Sequence, residues 1–281
     1  MKSVFVAYVD ERRAAPDPAP RVVYVQRTVD RTSRSHRKET RRERESFEQV
    51  RNAERHYGAQ LRKVAAQVGR LADTTAGDPD DPATVARLTA ILRRYAQDIR
   101  PWARTAAAAM LADVNRRDER AWLRLSNLMG SELEHEIRNA PTGAKMLQLL
   151  EEQVDLITSI PLDAAQRVHK LATQNLVSGT RADQIARAIQ SSAHVSRGRA
   201  NLIARTEVGR ASGALTQARA EYVGSPGYFW MSLGDVDVRP EHKKLNGTFH
   251  RWDKPPYAGS GMHYHAGMGP NCRCFPQPVI N

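Results

Sequence analysis

Apolar residues recur at helical spacing through the middle of the chain, from about residue 83 to 195. The first run comprises Val85, Leu88, Ile91, Leu92, Tyr95 and Ile99. Intervals of three and four residues place such side chains on one face of an α-helix. Asp81 and Pro82 suit the N-cap and the first helical position, and Pro101 should end or kink the helix. Similar runs follow, so the pattern predicts a set of packed amphipathic helices.

Proline and glycine mark the expected ends of the later helices. The stretch "SIPLD", which contains Pro161, is expected to separate two helices, and Gly179 to end the second of them. A last long helix is expected from about residue 196, with an apolar stripe that reaches Tyr222 and a cap at Gly224. Two strand-like segments follow, "GYFWMSL" and the shorter "TFHRW", and the other residues have the composition of turns. Residues 196–281 are therefore predicted to form a small α+β module.

The N-terminal part of the chain has a different texture. Residues 1–30 are expected to be an arm with two short strands, which could pair with each other or with the sheet edge of a partner. Residues 31–82 begin as charged, basic sequence that fits either a solvated helix or a disordered linker. With residues 83–195 as a helical region, the predicted fold class is α+β and predominantly α-helical. We expect an elongated helical N-terminal region and a small C-terminal α+β module.

The charge balance points to a class of partner. Lysine and arginine total 43 against 31 aspartates and glutamates, a formal net charge of +12, and basic proteins tend to meet nucleic acid or acidic surfaces. The residues that we assign to nucleic-acid contact are Arg34, Arg37, Lys38, Arg41 and Arg42. The alternative for these residues is a solvent-exposed helix without a ligand.

Several function classes lack their sequence signals. No apolar run approaches the roughly 20 residues that span a bilayer, so no membrane partner is expected. The apolar stretch from Val4 to Val9 is shorter than a signal-peptide core, which predicts a chain made and kept in a cytoplasm. The segment "HEIRN" at His135 lacks the second histidine of a zinc protease, and no phosphate-binding glycine loop or Gly-x-Ser-x-Gly elbow is present. No catalytic residue is therefore assigned.

The chain has two cysteines, Cys272 and Cys274, which lie two residues apart near its end. A disulfide between them would close a small, strained ring, whereas thiolates in a loop rich in glycine and proline suit tetrahedral zinc. His242 is a third candidate ligand, and His265 is the residue that we assign as the fourth. The alternatives for this fourth position are His263, His250 and Asp235. In an interpretation without metal, both cysteines are small buried residues that pack the final loop.

Three functions can be compared with these features of the sequence. A metal-dependent nuclease would use His242 and the histidines at 263 and 265 to hold a cation beside DNA, and it would need a general base next to the metal. The helix expected after such a site has no room in the seven residues that follow Cys274. An ADP-ribosyltransferase would need a Glu-x-Glu that the C-terminal module lacks. A plain DNA-binding protein would lose affinity steeply as salt is added.

The C-terminal motifs together resemble a known family. The segments are "ARTEVGRASGALTQARAEY", a tryptophan before "DVDVRPEHKKLNGTFHRW", and "GPNCRC". In this combination they resemble the C-terminal domain of phage Mu F-like minor head proteins, also called phage head morphogenesis proteins. The matching positions are Arg205, Thr206, Glu207, Trp230, Asp235, Arg239, His242, Leu245, Gly247, Asn271, Cys272, Arg273 and Cys274. The resemblance covers roughly residues 196–281.

The resemblance implies a virion component that is present in few copies, at the portal vertex or in the capsid interior. Its implied partners are the portal protein, the major capsid or scaffolding protein, and packaged DNA, and it implies neither catalysis nor a small-molecule substrate. It also implies roles in procapsid assembly and in DNA packaging or delivery. Some relatives carry Cys-x-x-Cys where this chain has Arg239 and His242, and with the terminal Cys-x-Cys that would make four zinc ligands. Because Arg239 cannot be a ligand, a histidine of "GMHYHAG" would have to supply the fourth.

Overall fold

A computed structural model of the chain describes residues 4–8, 23–27, 34–75, 81–126, 138–178, 191–232 and 238–280. Two strands come first, β1 (Val4–Tyr8) and β2 (Val23–Arg27). The long helices are α1 (Arg34–Thr74), α2 (Pro82–Asp98), α3 (Arg100–Ser126), α4 (Thr142–Ser178) and α5 (Ser192–Tyr222). The remaining elements are β3 (Gly227–Met231), the short helix α6 (Pro240–Leu245), β4 (Phe249–Arg251) and β5 (Phe275–Pro278). The predicted fold class, α+β and predominantly α-helical, is confirmed.

Strands β1 and β2 form an antiparallel pair in which Val6 lies opposite Val25. The sequence allowed these strands to pair either with each other or with the sheet edge of a partner, and in the structure they pair with each other. The charged segment that follows is part of helix α1. Of the two predictions for this segment, a helix and a disordered linker, the structure agrees with the helix. A search of the described helices finds none with the length and apolar character needed to cross a membrane.

The predicted signals at the ends of α2 hold in the structure. The carboxylate of Asp81 accepts hydrogen bonds from the backbone N–H groups of Ala83 and Thr84, and Pro82 occupies the first turn. These backbone hydrogen bonds lower the pKa of Asp81, because they stabilise its charged form. The helix ends at Asp98, before Pro101, which lies in the first turn of α3, where a missing N–H costs least.

The break predicted at Pro161 is wrong, since α4 runs through this residue without interruption. Ile157, Ile160 and Ala164 are all fully buried, so one packed face continues across the proline. An interior proline costs roughly 3 kcal/mol in lost backbone bonding and steric strain. The burial of three apolar side chains on the same face offsets that cost, at roughly 25 cal/mol per Å² of apolar area.

The described chain divides into two compact units. The first contains residues 1–51, 114–145 and 209–281, and the second contains residues 52–113 and 146–208. Each unit combines segments that are distant in sequence.

The second unit is helical and has a core between α1, α2 and α4. Its buried members are Val68, Val85, Leu88, Leu92, Ala164, Ala165 and Val168. Val85, Leu88 and Leu92 belong to the predicted apolar face of α2. The spacing of apolar residues therefore identified the side of α2 that faces the core.

The first unit contains a three-stranded sheet in the order β4-β3-β5, in which the central strand β3 is antiparallel to both neighbours. Its core consists of Trp122, Ala220, Tyr228, Trp230, Trp252, Ala258, Ala266, Cys272 and Cys274. Helix α5 contributes Ala220 and ends as predicted at Gly224, whose φ of 73° favours glycine. Both strands predicted in this region are confirmed as β3 and β4.

Two elements of this unit were expected to be turns, β5 and α6. Strand β5 contains Pro276 and Pro278, which lie opposite Trp230 and Tyr228 of β3. Proline is tolerated on an edge strand, where its missing N–H need not join a ladder, and β5 is such an edge. Helix α6 has six residues, too few to show a helical period in the sequence.

Candidate metal centre

The candidate centre is built by the segment before β5 and by helix α6. Cys272 and Cys274 lie just before β5, and the N–H of Cys272 donates to the carbonyl of Gly269 at 3.1 Å. Both sulfurs face the same residue of α6, His242. Asn271 has a φ of 55° in the left-handed region, where asparagine is among the tolerated residues, and it turns the chain into this segment.

His242 of α6 meets both sulfurs. Its Nδ1 lies 3.6 Å from Sγ of Cys272 and 3.5 Å from Sγ of Cys274. The three side chains are buried, and their donor atoms all lie within 4.8 Å of one another. Zinc with bonds of about 2.3 Å to sulfur and 2.0 Å to nitrogen, at tetrahedral angles, would separate N and S by about 3.6 Å. The observed spacing therefore fits one zinc ion between the three groups.

A cavity of about 90 Å³ adjoins the three groups. It is also lined by Val238, Arg239, Asn271 and Arg273. A space of this size holds at least one water molecule, so a small ligand could reach the centre from this side.

The two thiols form no disulfide, and a hydrogen bond between them shifts the pKa of each in opposite directions. A hydrogen bond from Cys274 lowers the pKa of Cys272, and His242 contributes in the same direction, while burial opposes both. The pKa of Cys274 is raised, first by its hydrogen bond with Cys272 and then by burial. The pair therefore favours one thiolate, which is the form of cysteine that binds metals.

The other side of the His242 ring is also fixed. Nε2 lies 3.0 Å from the hydroxyl of Tyr264, and that hydroxyl lies 3.3 Å from the carbonyl oxygen of Ala258. The ring packs edge-on against Trp230, with centroids 5.1 Å apart. Sequence reasoning overlooked Tyr264, although it stands between the candidate ligands His263 and His265.

The structure does not bring His265 into this group. Nδ1 of His265 lies 3.0 Å from the hydroxyl of Tyr228, and its ring packs against Trp252 with centroids 5.7 Å apart. Burial lowers the pKa of His265 and so favours its neutral form. Among the described residues, the group with metal-binding geometry contains only His242 and the two cysteines.

The alternatives for a fourth ligand have other partners or lie elsewhere. Nε2 of His250 is 2.7 Å from Oγ1 of Thr248, and Nδ1 of His263 is 3.3 Å from the carbonyl oxygen of Pro255. Asp235 lies outside the described residues.

The other motif residues of this unit support the centre. Arg239 donates to the carbonyl oxygen of Pro270 at 2.8 Å and so ties the cysteine segment to the start of α6. Trp230 is fully buried in the central strand. Gly247 has a φ of 76°, which favours glycine, and its N–H donates to the carbonyl of Trp230 at 2.7 Å. Arg239 therefore acts at this site as a hydrogen-bond donor.

Arg205 and Glu207 belong to the helical unit. Nε of Arg205 lies 3.0 Å from Oε1 of Glu54 in α1. Glu207 accepts a hydrogen bond of 2.6 Å from Gln153 of α4, whose amide oxygen accepts one of 3.0 Å from Tyr57 of α1. Glu207, Gln153 and Tyr57 are buried, so the motif links α5 to two other helices through polar contacts.

The five basic residues assigned to nucleic-acid contact are Arg34, Arg37, Lys38, Arg41 and Arg42. They belong to the first turns of α1, and their side chains lie outside the described part of the chain. The structure therefore establishes the helix that carries them and leaves their contacts as a prediction.

Comparison with known proteins bears on the C-terminal part of the chain. Residues 166–276 match the family described as Phage Mu protein F like protein. An uncharacterised protein of Haemophilus influenzae (strain ATCC 51907 / DSM 11121 / KW20 / Rd) is 32% identical over 158 residues. The match covers 56% of this chain and 34% of that relative, so the chain spans about a third of the relative's length. No solved structure matches the chain.

The family match contains the motifs on which the resemblance was based, from Arg205 to Cys274. It begins within α4 and ends within β5, so it includes the whole of α5 and the His242–cysteine centre. Residues 166–276 are therefore similar to the Phage Mu protein F like family that the sequence motifs indicated, and the match begins before the start expected at residue 196.

Proposed function

We propose that the chain is a minor head protein of a tailed phage that associates with the portal vertex. The observation that carries this proposal is the match of residues 166–276 to the Phage Mu protein F like family. In this role it would contact the portal protein and the major capsid or scaffolding protein. It would take part in procapsid assembly and in DNA packaging or delivery.

The resemblance to phage head proteins favours a structural over a catalytic role. The centre presents two cysteines and one histidine, all buried, and these three ligands become a structural zinc site only when a fourth ligand completes the tetrahedron. A nuclease would instead need a metal with a general base and an open path to DNA. No residue is therefore assigned to catalysis.

Co-expression with the portal protein of the same phage tests this proposal. A tagged chain should retain the portal protein through purification, and the complex should elute as one species in size-exclusion chromatography. A second co-expression, of the chain with the major capsid protein and without the portal protein, distinguishes a portal contact from a capsid contact. If the chain elutes alone from both mixtures, portal association is wrong.

We also propose that His242, Cys272 and Cys274 hold a structural zinc ion. The support is the match between the observed N–S separations of 3.5 and 3.6 Å and the geometry of zinc. When bound, zinc would crosslink helix α6 to the segment before β5. The free energy of metal binding would then add to the stability of the folded unit.

A third proposal concerns DNA. A continuous helix at Arg34–Thr74 spaces the basic residues at its start by about 1.5 Å along the axis for each position. Such an array can contact successive phosphates without reading base sequence. A DNA duplex of arbitrary sequence should then bind with an affinity that falls steeply as the salt concentration increases. An affinity that does not change with salt concentration would exclude phosphate contact.

A further inference from the structure

Tyr264 occupies a position between the candidate metal ligand His242 and the polypeptide backbone. Its hydroxyl oxygen lies 3.0 Å from Nε2 of His242 and 3.3 Å from the carbonyl oxygen of Ala258. The backbone N–H of Tyr264 donates to the carbonyl oxygen of Pro256 at 3.3 Å. Main chain and side chain together therefore hold the residue.

Two arrangements of the hydrogen atoms fit these contacts, because the hydroxyl of Tyr264 has one proton to donate. If it donates to Nε2 of His242, the imidazole proton lies on Nδ1 and faces the sulfurs. If it donates to Ala258, whose carbonyl oxygen can only accept, the hydroxyl accepts from the Nε2–H group of His242. The lone pair of His242 is then on Nδ1, the atom that lies 3.5 and 3.6 Å from the two sulfurs, as metal binding requires.

A separate feature shows that the Tyr264 ring has little freedom. A Cβ atom at residue 269 would lie 2.4 Å from two ring carbons of Tyr264 and 2.7 Å from its hydroxyl oxygen. Glycine at this position lets the ring lie directly against the backbone of the cysteine segment. Gly269 also accepts the hydrogen bond from Cys272, so the same turn positions a ligand and the tyrosine.

From this geometry we propose that Tyr264 is a positioning residue of the metal centre. It fixes His242 in the Nε2–H tautomer and so presents Nδ1 to a metal held with Cys272 and Cys274. The inference rests on the proposed zinc centre for its purpose, whereas the effect of Tyr264 on the tautomer can be measured in the metal-free chain. A partner that fixes the other ring nitrogen of a ligating histidine commonly raises metal affinity by about 10- to 100-fold.

The first test compares zinc binding by the full chain and two tyrosine variants. Competition with a chromophoric chelator should show that Tyr264→Phe weakens zinc binding by about 10- to 100-fold. Tyr257→Phe is the matched control, because this tyrosine is 52% exposed and its hydroxyl lies 3.5 Å from the N–H of Gly261. The control should bind zinc as the wild type does. Equal affinity in Tyr264→Phe and wild type would overturn the proposal.

The second test needs no metal. Long-range ¹H–¹⁵N spectra of the metal-free chain, with the His242 signals identified by their loss in His242→Gln, report how much of His242 carries its proton on Nε2. We expect this fraction to be larger in the wild type than in Tyr264→Phe, and equal fractions would overturn the proposal. If the wild type binds no zinc but Tyr264→Phe still lowers the fraction, the zinc centre fails while the positioning by Tyr264 stands.

Discussion

At the residue scale, the candidate metal ligands and the histidine assigned as their fourth member have different partners. His242, Cys272 and Cys274 face one another, and Tyr264 and Arg239 hold them from outside. His265, by contrast, is buried against Tyr228 and Trp252. His242 and His265 therefore have different surroundings, one at the sulfurs and one in the aromatic core.

This division gives a prediction for metal content. Purified wild-type chain should contain about one zinc ion, because a buried His-Cys-Cys set retains zinc through purification. Cys272→Ser and His242→Gln should each lose most of it, since each removes one of three ligands. His265→Gln is the control and should retain the ion. Elemental analysis by mass spectrometry gives the ratio directly.

Two outcomes of the zinc measurement would contradict the centre as we describe it. Wild-type chain with less than about 0.2 equivalents of zinc after purification without chelators would exclude a structural site. Loss of zinc from His265→Gln, with the fold intact by circular dichroism, would instead make His265 a ligand.

The sequence identified three of the centre's residues because cysteine and histidine are ligands by their chemistry. It could not identify Tyr264, whose role comes from a hydroxyl placed between an imidazole and a carbonyl group. It also could not assign Arg239, which donates to Pro270 only because α6 and the cysteine segment are adjacent. Residue type predicts a ligand, whereas the group that orients a ligand depends on three-dimensional placement.

At the element scale, helix α5 combines packing features that the sequence pattern does not separate. Gly209 and Gly213 are one turn apart on this helix. A Cβ atom at residue 209 would lie 3.1 Å from the carbonyl oxygen of Gly267, and one at residue 213 would lie 3.1 Å from that of Ala266. These glycines therefore let the backbone of residues 266–267 approach the helix closely.

Alanine substitutions in α5 test this close approach. Gly213→Ala should lower the free energy of unfolding, because the added methyl group presses on a backbone carbonyl that cannot move freely. Gly198→Ala is the control on the same helix, since nothing lies within 4 Å of its added Cβ. It should raise stability by up to about 1 kcal/mol through helix propensity alone. Urea denaturation measures both values, and equal gains in stability would show that the loop is not in contact with the helix.

The element scale also shows where hydrophobic periodicity succeeds and fails. It predicted α2 correctly, because the buried positions of that helix follow a helical period and Asp81 caps its start. It failed at Pro161, where burial on both sides outweighs a local break. It also missed β5, since a strand with two prolines is stable only beside a partner such as β3.

At the scale of the whole molecule, the family resemblance concerns segments that belong to both units. Arg205 and Glu207 join three helices of the helical unit, whereas His242 and the cysteines lie together in the unit that contains the three-stranded sheet. The sequence motifs were sufficient to predict the Phage Mu protein F like region. The composition of each unit was not predictable, because each unit is assembled from segments that are far apart in the chain.

The presence of the chain in phage heads is the central claim at this scale. Quantitative mass spectrometry of DNA-filled heads, purified on a density gradient from the phage that encodes the chain, measures it most directly. We expect the chain to migrate with the major capsid protein and to be present in few copies per head. Heads that contain abundant capsid and portal protein but none of this chain would contradict its assignment as a minor head protein.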